Sequence, residues 1–405
     1  MTVLAVSGAI AVPVAVPVAA RAQAHATQEA RPSPSSRKAA AFALTDTLRA
    51  ILTRAIADSA FPGGVVVIGT HSGPAVTVSA GHLDWAPSRL VTPTTMWDLA
   101  SLTKVVGMTS AMMQLVERGK VDLDAPVQRY LPEWTGTNKE KVTVRHLITH
   151  QSGLPPFKTY YKNNVSRDST LRLFFNTPLD TLPGVRMIYS DIGAILLGKI
   201  VERVSGKTID AYLEQHVWVP LHMRDTWYKP PEWLRLRIAP TEMDPWRGRL
   251  IVGEVHDENA FALGGVSGHA GLFSTARDLS RLAEAYLNGG GKLAKAATIK
   301  QFTTVNDSTF SSRALGWDTP SNNSSAGHYI KRPAFGHTGF TGTSIWIAPQ
   351  HDMYVILLTN RVNPTREHSR IGPVRVAVAD AAMRALHPDV VAAIDAATPP
   401  SAGRP

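Results

Sequence analysis

Ser101-Leu102-Thr103-Lys104 holds the densest chemistry in the chain. Residues three apart share one face of a helix, so a serine hydroxyl and a lysine ammonium spaced this way meet within one turn. A serine that opens a helix also keeps its own backbone N–H unspent, free to stabilise an anion. A lysine shielded from water beside a second cation gives up its proton and serves as a base. The chemistry so described is nucleophilic attack on an acyl carbonyl. The spacing alone is unspecific, because Ser35 to Lys38 repeats it in a Ser/Pro-rich stretch.

Other chemistries lack their residues. The 405 residues contain no cysteine, which removes a thiol nucleophile, a thiolate zinc site, an iron–sulfur cluster and a disulfide framework. G-x-S-x-G, H-E-x-x-H, G-x-x-x-x-G-K-[ST] and G-x-G-x-x-G are absent. Gly289-Gly290-Gly291-Lys292 reads as a loop. His150, His256 and His269 form no i,i+4 pair and read as structural histidines, so neither a metal nor a cofactor is expected. Asp257 and Glu258 read as adjacent strand residues facing opposite ways rather than as an acid pair. Met108, Met112 and Met113 read as core. The 42 Lys+Arg against 32 Asp+Glu leave a net charge of +10. That charge invites a polyanion, but the basic residues are scattered with no run of five, and no nucleic acid is expected.

The elements that must position Ser101 follow from periodicity. Leu44, Leu48, Ile51, Leu52, Ala55 and Ile56 predict a helix over 39–58. Val65 to Thr70 predicts a buried strand with Val76 to Ala80 as its hairpin partner. Helical patterns then dominate, one through Met108 to Val116 and another through Ile192 to Val201. Thr275 to Asp278 caps a helix running to Tyr286. Gly336 to Ile347 and Met353 to Thr359 predict two strands joined at Pro349-Gln350-His351-Asp352, and Val374 to Leu386 a last helix. This order describes an α+β domain, residues 39–96 and 260–386, split by a mostly helical insertion, residues 97–259. Residues 387–405 read as a tail.

Val3 to Ala20 is almost wholly apolar and is followed by two small-x-small sites at Ala22 to Ala26, so residues 1–26 read as a signal peptide. No Lys or Arg precedes the apolar run, and a retained membrane anchor is the other reading. Pro13 and Pro17 weigh against a spanning helix. Residues 27–38 read as a linker. No later stretch reaches about 18 apolar residues, so no span is expected in the mature chain. The expected location is outside the cytoplasm, periplasmic or secreted.

Two further segments complete a pattern. Tyr189-Ser190-Asp191 follows Pro183-Gly184 and leads into an apolar helix, and Gly336-His337-Thr338-Gly339-Phe340 opens a strand. Each residue has a plain alternative: Tyr189 as a half-buried aromatic, His337 as a strand cap, Thr338 as a β-former. In order and context, however, S-x-x-K, Tyr189-x-Asp191 and His337-Thr338-Gly339 resemble the serine β-lactamase and penicillin-binding-protein superfamily. The subgroup resembled is the class C β-lactamases, D-alanyl-D-alanine carboxypeptidases, D-aminopeptidases and family VIII carboxylesterases. Arg145 to Leu154 and Gly268 to Thr275 resemble two further segments of that family, and the resemblance covers roughly residues 40–386.

The resemblance implies a β-lactamase/transpeptidase-like fold, an antiparallel sheet flanked by helices with the helical domain inserted. It implies Ser101 as nucleophile, Lys104 beside it, and Tyr189 as the base that shuttles the proton; which of Lys104 and Tyr189 takes the first proton stays open. The backbone N–H groups of Ser101 and Phe340 would form the oxyanion hole. Asp191, His337, Thr338 and Gly339 would meet substrate, with Gly339 letting substrate lie along the strand edge. Two departures stand out. Asp191 replaces the usual asparagine, so it lacks an amide donor and either weakens amide recognition or pairs with Lys104. His337 replaces the commoner lysine, and activity on carboxylate substrates would then fall as it deprotonates near pH 6.5. The implied activity is hydrolysis of ester, amide or peptide acyl groups through a Ser101 acyl-enzyme, of the carboxylesterase, carboxypeptidase or D-aminopeptidase type, with β-lactams as weaker substrates. The alternative is a penicillin- or cell-wall-binding protein with little turnover.

Overall fold

The frame of the candidate site is a sheet whose inner strands are apolar on both faces. A computed structural model describes residues 34–305, 308–309, 311–321 and 324–397. The expected signal peptide and Thr398 to Pro405 lie outside the described residues. In chain order, the elements that matter here are α1 (Pro34–Ala57), β1 (Gly63–Thr70), β2 (Gly73–Gly81), β3 (Trp97–Asp98) and α2 (Ser110–Glu117). They continue with α3 (Asp191–Ser205), β4 (Trp227–Tyr228), α4 (Glu258–Ala262), β5 (Leu272–Ser274) and α5 (Ala276–Leu287). The last are β6 (Phe335–Thr338), β7 (Ser344–Ala348), β8 (Met353–Thr359), α6 (Ile371–Leu386) and α7 (Pro388–Ala397).

Five strands pair antiparallel in the order β2-β1-β8-β7-β6, so the sheet joins residues near both ends of the chain. Strand side chains alternate between faces. Val65, Val67, Ile345, Ile347, Ile356 and Leu358 point into one core, which they share with α2, α3 and α5. Val66, Ile68, Trp346, Val355 and Leu357 point into a second core under α1, α6 and α7. With both faces covered, polar positions drop out of β1 and β8, which read as apolar runs, whereas the edge strand β2 alternates between buried Val76 and Val78 and exposed Thr77. Full burial of each such side chain contributes about 1.5–3 kcal/mol. Among the described residues no helix is long and apolar enough to cross a membrane.

Three expectations change. Pro34 to Lys38 is helical rather than linker; proline suits a first helical turn, where its missing N–H has no acceptor. Gly336 to Ile347 is two strands, not one. Gly339 N–H closes onto Thr343 O at 2.7 Å and Gly342 sits at φ +110°, which turns the chain between β6 and β7. Residues 388–397, read as tail, form α7, whose Val391 is buried against α6 and α1.

Candidate active site

Ser101 is delivered by a small three-stranded sheet, β3-β5-β4. Leu99 N–H donates to Leu272 O at 2.9 Å, anchoring the chain one step before the turn. Asp98 is buried and splits its carboxylate between two backbone donors, Ala100 N–H at 2.8 Å and His256 N–H at 2.7 Å. Ala100 is thereby held at φ +45°, a conformation that costs a non-glycine residue about 1–2 kcal/mol. Leu102, Thr103 and Lys104 N–H groups then close onto Leu99, Ala100 and Ser101 carbonyls at 3.0 Å. The wide turn Lys104–Thr109 follows and leads into α2. Ser101 therefore opens a helix, and its own N–H makes no hydrogen bond among the described residues.

Lys104 is buried to 1% exposure and its Nζ is shared three ways. It donates to Ser101 Oγ at 3.0 Å and to His269 O at 3.0 Å, and it lies 2.7 Å from Asp191 Oδ1 as an ion pair. Burial alone would draw the ammonium down, but the Asp191 carboxylate reverses this and the net shift is upward. Of the two readings open for Asp191, the ion pair with Lys104 is the one present, and it keeps the ammonium charged. Asp191 opens α3, with Ser190 capping the helix by accepting Gly193 N–H at 3.3 Å.

Tyr189 sits at the centre of a ring of charged and aromatic groups. Lys104 Nζ and Arg313 Cζ each lie 5.1 Å from its ring centroid. His150 packs at 4.5 Å and His337 at 5.9 Å. Its Oη is buried on the Lys104 side, and the phenol, with Asp191, helps hold the Lys104 proton. Burial, reinforced by Arg313 and Lys104, pushes both histidines well below their ordinary value, so both are neutral at pH 7. His150 Nδ1 accepts Ser190 N–H at 3.1 Å, which fixes its tautomer. His337 Nδ1 is 2.8 Å from Thr338 O, a carbonyl that only accepts, so Nδ1 carries the hydrogen and buried Nε2 is a bare acceptor.

The expectation of a His337 titration near pH 6.5 is corrected by this burial. A neutral imidazole that stays neutral confers no pH step. The ratio of activity on carboxylate substrates to that on neutral esters is expected to be flat from pH 6 to 8, measured as kcat/KM for a matched substrate pair. A tenfold fall centred near pH 6.5 would show that His337 titrates there.

Thr338 and Gly339 lie at the end of β6, the outer strand of the sheet, where the bridge between Gly336 and Asp318 is the last pairing. The reading of Gly339 as a slot for substrate also changes. A Cβ there would stand 2.1 Å from Thr343 Oγ1 and 2.5 Å from Leu99 O, so glycine is required for the β6–β7 turn to touch the segment that carries Ser101. Thr341 and Thr343 hydroxyls tie the same surfaces, donating to Asp98 O at 2.7 Å and Leu99 O at 3.1 Å. Phe340 follows, with its N–H unspent among the described residues and its ring half exposed.

Ser101, Tyr189, Asp191 and Phe340 line one cavity of about 310 Å³ with Ala100 and His269. Lys104 and His337 stand behind it. A larger cavity of about 520 Å³ lies beside Asp210, Trp218 and Trp227, but it gathers no nucleophile beside a base. Asp257 and Glu258, dismissed above as opposed strand residues, both line the Ser101 cavity, because Asp257 caps α4 and Glu258 is its first residue. Asp257 Oδ1 accepts Ala260 N–H at 2.7 Å and pairs with His269 Nε2 at 2.9 Å. His256 stacks on Phe340 at 5.7 Å. No group of acidic and histidine residues suited to a metal occurs among the described residues.

The far wall carries a buried charge network. Glu242 is 2% exposed, accepts Arg366 N–H and Nε at 2.8 and 2.7 Å, and meets His256 Nε2 at 2.8 Å. Arg366 also donates to Glu258 Oε1 at 2.7 Å. Burial would raise the Glu242 carboxyl, but His256 and Arg366 outweigh it and hold it at about 2, below the ordinary 4.5. A depressed acid stabilises the fold above its unfolded value and loses that contribution as pH falls through the folded one. Stability is therefore expected to drop by about 3 kcal/mol, at about 1.4 kcal/mol per unit, between pH 4.5 and 2 on account of this residue. Denaturant melts of Glu242→Gln should show a lower starting stability and a flatter acid limb; an equally steep limb would assign the acid sensitivity elsewhere.

Comparison with known proteins adds lineage to this geometry. The family model described as Beta-lactamase matches residues 48–380. A putative D-alanyl-D-alanine carboxypeptidase of Salmonella agona (strain SL483) is 34% identical over 320 residues, covering 70% of this chain and 73% of that protein. An N-acetylmuramyl-L-alanine amidase of Bacillus subtilis (strain 168) is 36% identical over 346 residues, covering 74% and 77%. Two solved structures share the fold. EstCE1, a hydrolase with promiscuous acyltransferase activity, has TM-score 0.70 at 22% identity over 85% of this chain and 99% of its own. A penicillin-binding-protein homologue from Caulobacter crescentus has TM-score 0.69 at 24% identity, covering 85% and 98%. A family model spanning most of the chain, set on a helix-opening serine with a buried lysine at its hydroxyl, leaves one conclusion: this chain belongs to the serine β-lactamase and penicillin-binding-protein superfamily.

Proposed function

We propose that this β-lactamase-family hydrolase works through an acyl-enzyme on Ser101. The observation that carries the reading is the 3.0 Å contact from Lys104 Nζ to Ser101 Oγ at the mouth of a helix whose first N–H is unspent among the described residues. In the proposed reaction Tyr189 acts as its phenolate beside the Lys104 ammonium: Ser101 Oγ attacks an ester or amide carbonyl carbon as its proton passes to the Tyr189 oxygen. The negative carbonyl oxygen is held by the Ser101 and Phe340 N–H groups. Collapse breaks the bond to the leaving group, which takes the proton from Tyr189. Water then repeats the sequence on the acyl ester and frees Ser101. Lys104, held protonated by Asp191, supplies a fixed positive charge beside both oxygens rather than a base.

Peptides ending in D-alanine and muramyl amides are proposed as substrates from the names of the relatives; simple esters are proposed because an acyl-enzyme forms more readily from them, and β-lactams, from the family, as poorer ones. The same reading places the protein outside the cytoplasm, on the apolar Val3 to Ala20 segment alone. Turnover of a p-nitrophenyl ester, a D-Ala-D-Ala peptide and a chromogenic cephalosporin tests it, with intact-mass spectrometry for the adduct. Turnover of the first two with a transient adduct is expected. A persistent adduct without turnover would instead describe a penicillin-binding protein, and no reaction with any of them would end the hydrolase reading.

A further inference from the structure

Arg375 lies in α6, behind the β6–β7 turn and outside the residues that line the cavity. A single nitrogen, Nη2, donates to two carbonyls, Gly339 O at 2.8 Å and Thr343 O at 2.8 Å. Gly339 N–H itself donates to Thr343 O at 2.7 Å, so that nitrogen ties together both ends of the turn that carries Phe340. Arg361 Nε holds the next carbonyl, Phe340 O, at 2.7 Å.

Gly339 C=O and Phe340 N–H are the two ends of one planar peptide group. In a trans peptide they point in opposite directions. A donor placed on the oxygen from behind therefore fixes where the N–H aims in front. It also polarises that N–H: hydrogen bonds in series strengthen one another by about 10–30% each, and a charged donor is roughly twice as strong as a neutral one. A neutral amide would brace the turn equally well. Arg375 is instead a cation that pairs with no carboxylate among the described residues, and its Nε is buried with no hydrogen-bond partner among them. Burial draws the guanidinium down to about 10, still charged at neutral pH. A partly buried, unpaired cation is a poor stabiliser of a fold. Its placement makes sense where its charge acts on something other than stability.

We propose that Arg375 is a positioning residue for the oxyanion hole, orienting and polarising the Gly339–Phe340 peptide so that Phe340 N–H meets the negative oxygen of the tetrahedral intermediate. This rests on the acyl-enzyme reading above. Losing a whole oxyanion donor lowers kcat by about 10²–10³. Weakening and misaiming one should therefore lower it by about ten- to thirtyfold in Arg375→Met, with KM within about twofold. Arg375→Lys keeps the charge and should recover most of the loss. The decisive readout is the infrared band of the acyl-enzyme carbonyl, isotope-labelled and trapped on Ser101. It should move to higher frequency in Arg375→Met, as a weaker donor polarises it less, and return towards the parent position in Arg375→Lys. A folded Arg375→Met with parental kcat and an unshifted band overturns the proposal. So does a lowered melting temperature and kcat with the band unmoved, which is the signature of a merely structural brace. A parent protein that forms no Ser101 ester at all overturns the acyl-enzyme reading and this one with it; a parent that acylates normally beside an unaltered variant overturns only the role of Arg375.

Discussion

Ser101→Ala is expected to lose at least about 10⁴-fold in kcat on every ester and peptide substrate, and to form no covalent adduct. In energy that is a barrier raised by about 5 kcal/mol or more, at about 1.4 kcal/mol per decade. The fold should hardly notice. Ser101 Oγ receives one hydrogen bond from Lys104, whose Nζ retains His269 O and Asp191. Loss of one such bond, with the donor otherwise satisfied, costs about 1 kcal/mol. The melting temperature and the turnover should therefore separate, and that separation assigns the loss to chemistry. Retained turnover in a purified variant, free of contaminating host esterase, would remove Ser101 from the mechanism and pass the burden to another hydroxyl in the cavity.

How far the chain itself discloses this site depends on how local each interaction is. Ser101 and Lys104 are one turn apart, so spacing finds them. Tyr189 and Asp191 sit at a helix start that Ser190 caps, and Phe340 ends a Gly-rich strand opening, so order along the chain finds these too. The sheet is harder. Its inner strands are buried on both faces, so alternation vanishes in them, and a run such as Gly336 to Ile347 conceals a turn held by Gly339 and Gly342. The groups that set the electrostatics come from far away. Arg366 reaches Glu258 across 108 residues and Lys104 reaches His269 O across 165. Arg313 and Arg375 have no neighbour in sequence that marks them. The protonation of Lys104 is open in sequence for the same reason: a nearby cation would strip its proton and a carboxylate would hold it, and only folding brings the Asp191 carboxylate to 2.7 Å. Strand geometry would turn Asp257 and Glu258 apart; a helix cap at Asp257 instead puts both into the cavity.

The second large effect is expected at Lys104. Lys104→Met keeps the volume and removes the charge, leaving Asp191, 20% exposed in its side chain, without its cation. Removing one partner of a fully buried pair costs about 3–5 kcal/mol; partial exposure of Asp191 and its place at a helix N-terminus reduce this to about 2–3 kcal/mol. Activity should fall by about 10³-fold, within the range for a positioned acid–base or electrostatic group. Adding Asp191→Asn removes the stranded carboxylate, so the double variant should regain most of the stability and little of the activity. That divergence separates a lysine needed for charge beside Ser101 and Tyr189 from one needed only to neutralise Asp191. Recovery of both in the double variant would favour the second role. The pH profile carries the same distinction. Lys104 is raised above its ordinary 10.5 in the folded protein, so its positive charge and the stability it brings are complete below 10.5 and are lost only as pH rises beyond it. Any alkaline limb of kcat/KM below pH 10 therefore belongs to another group.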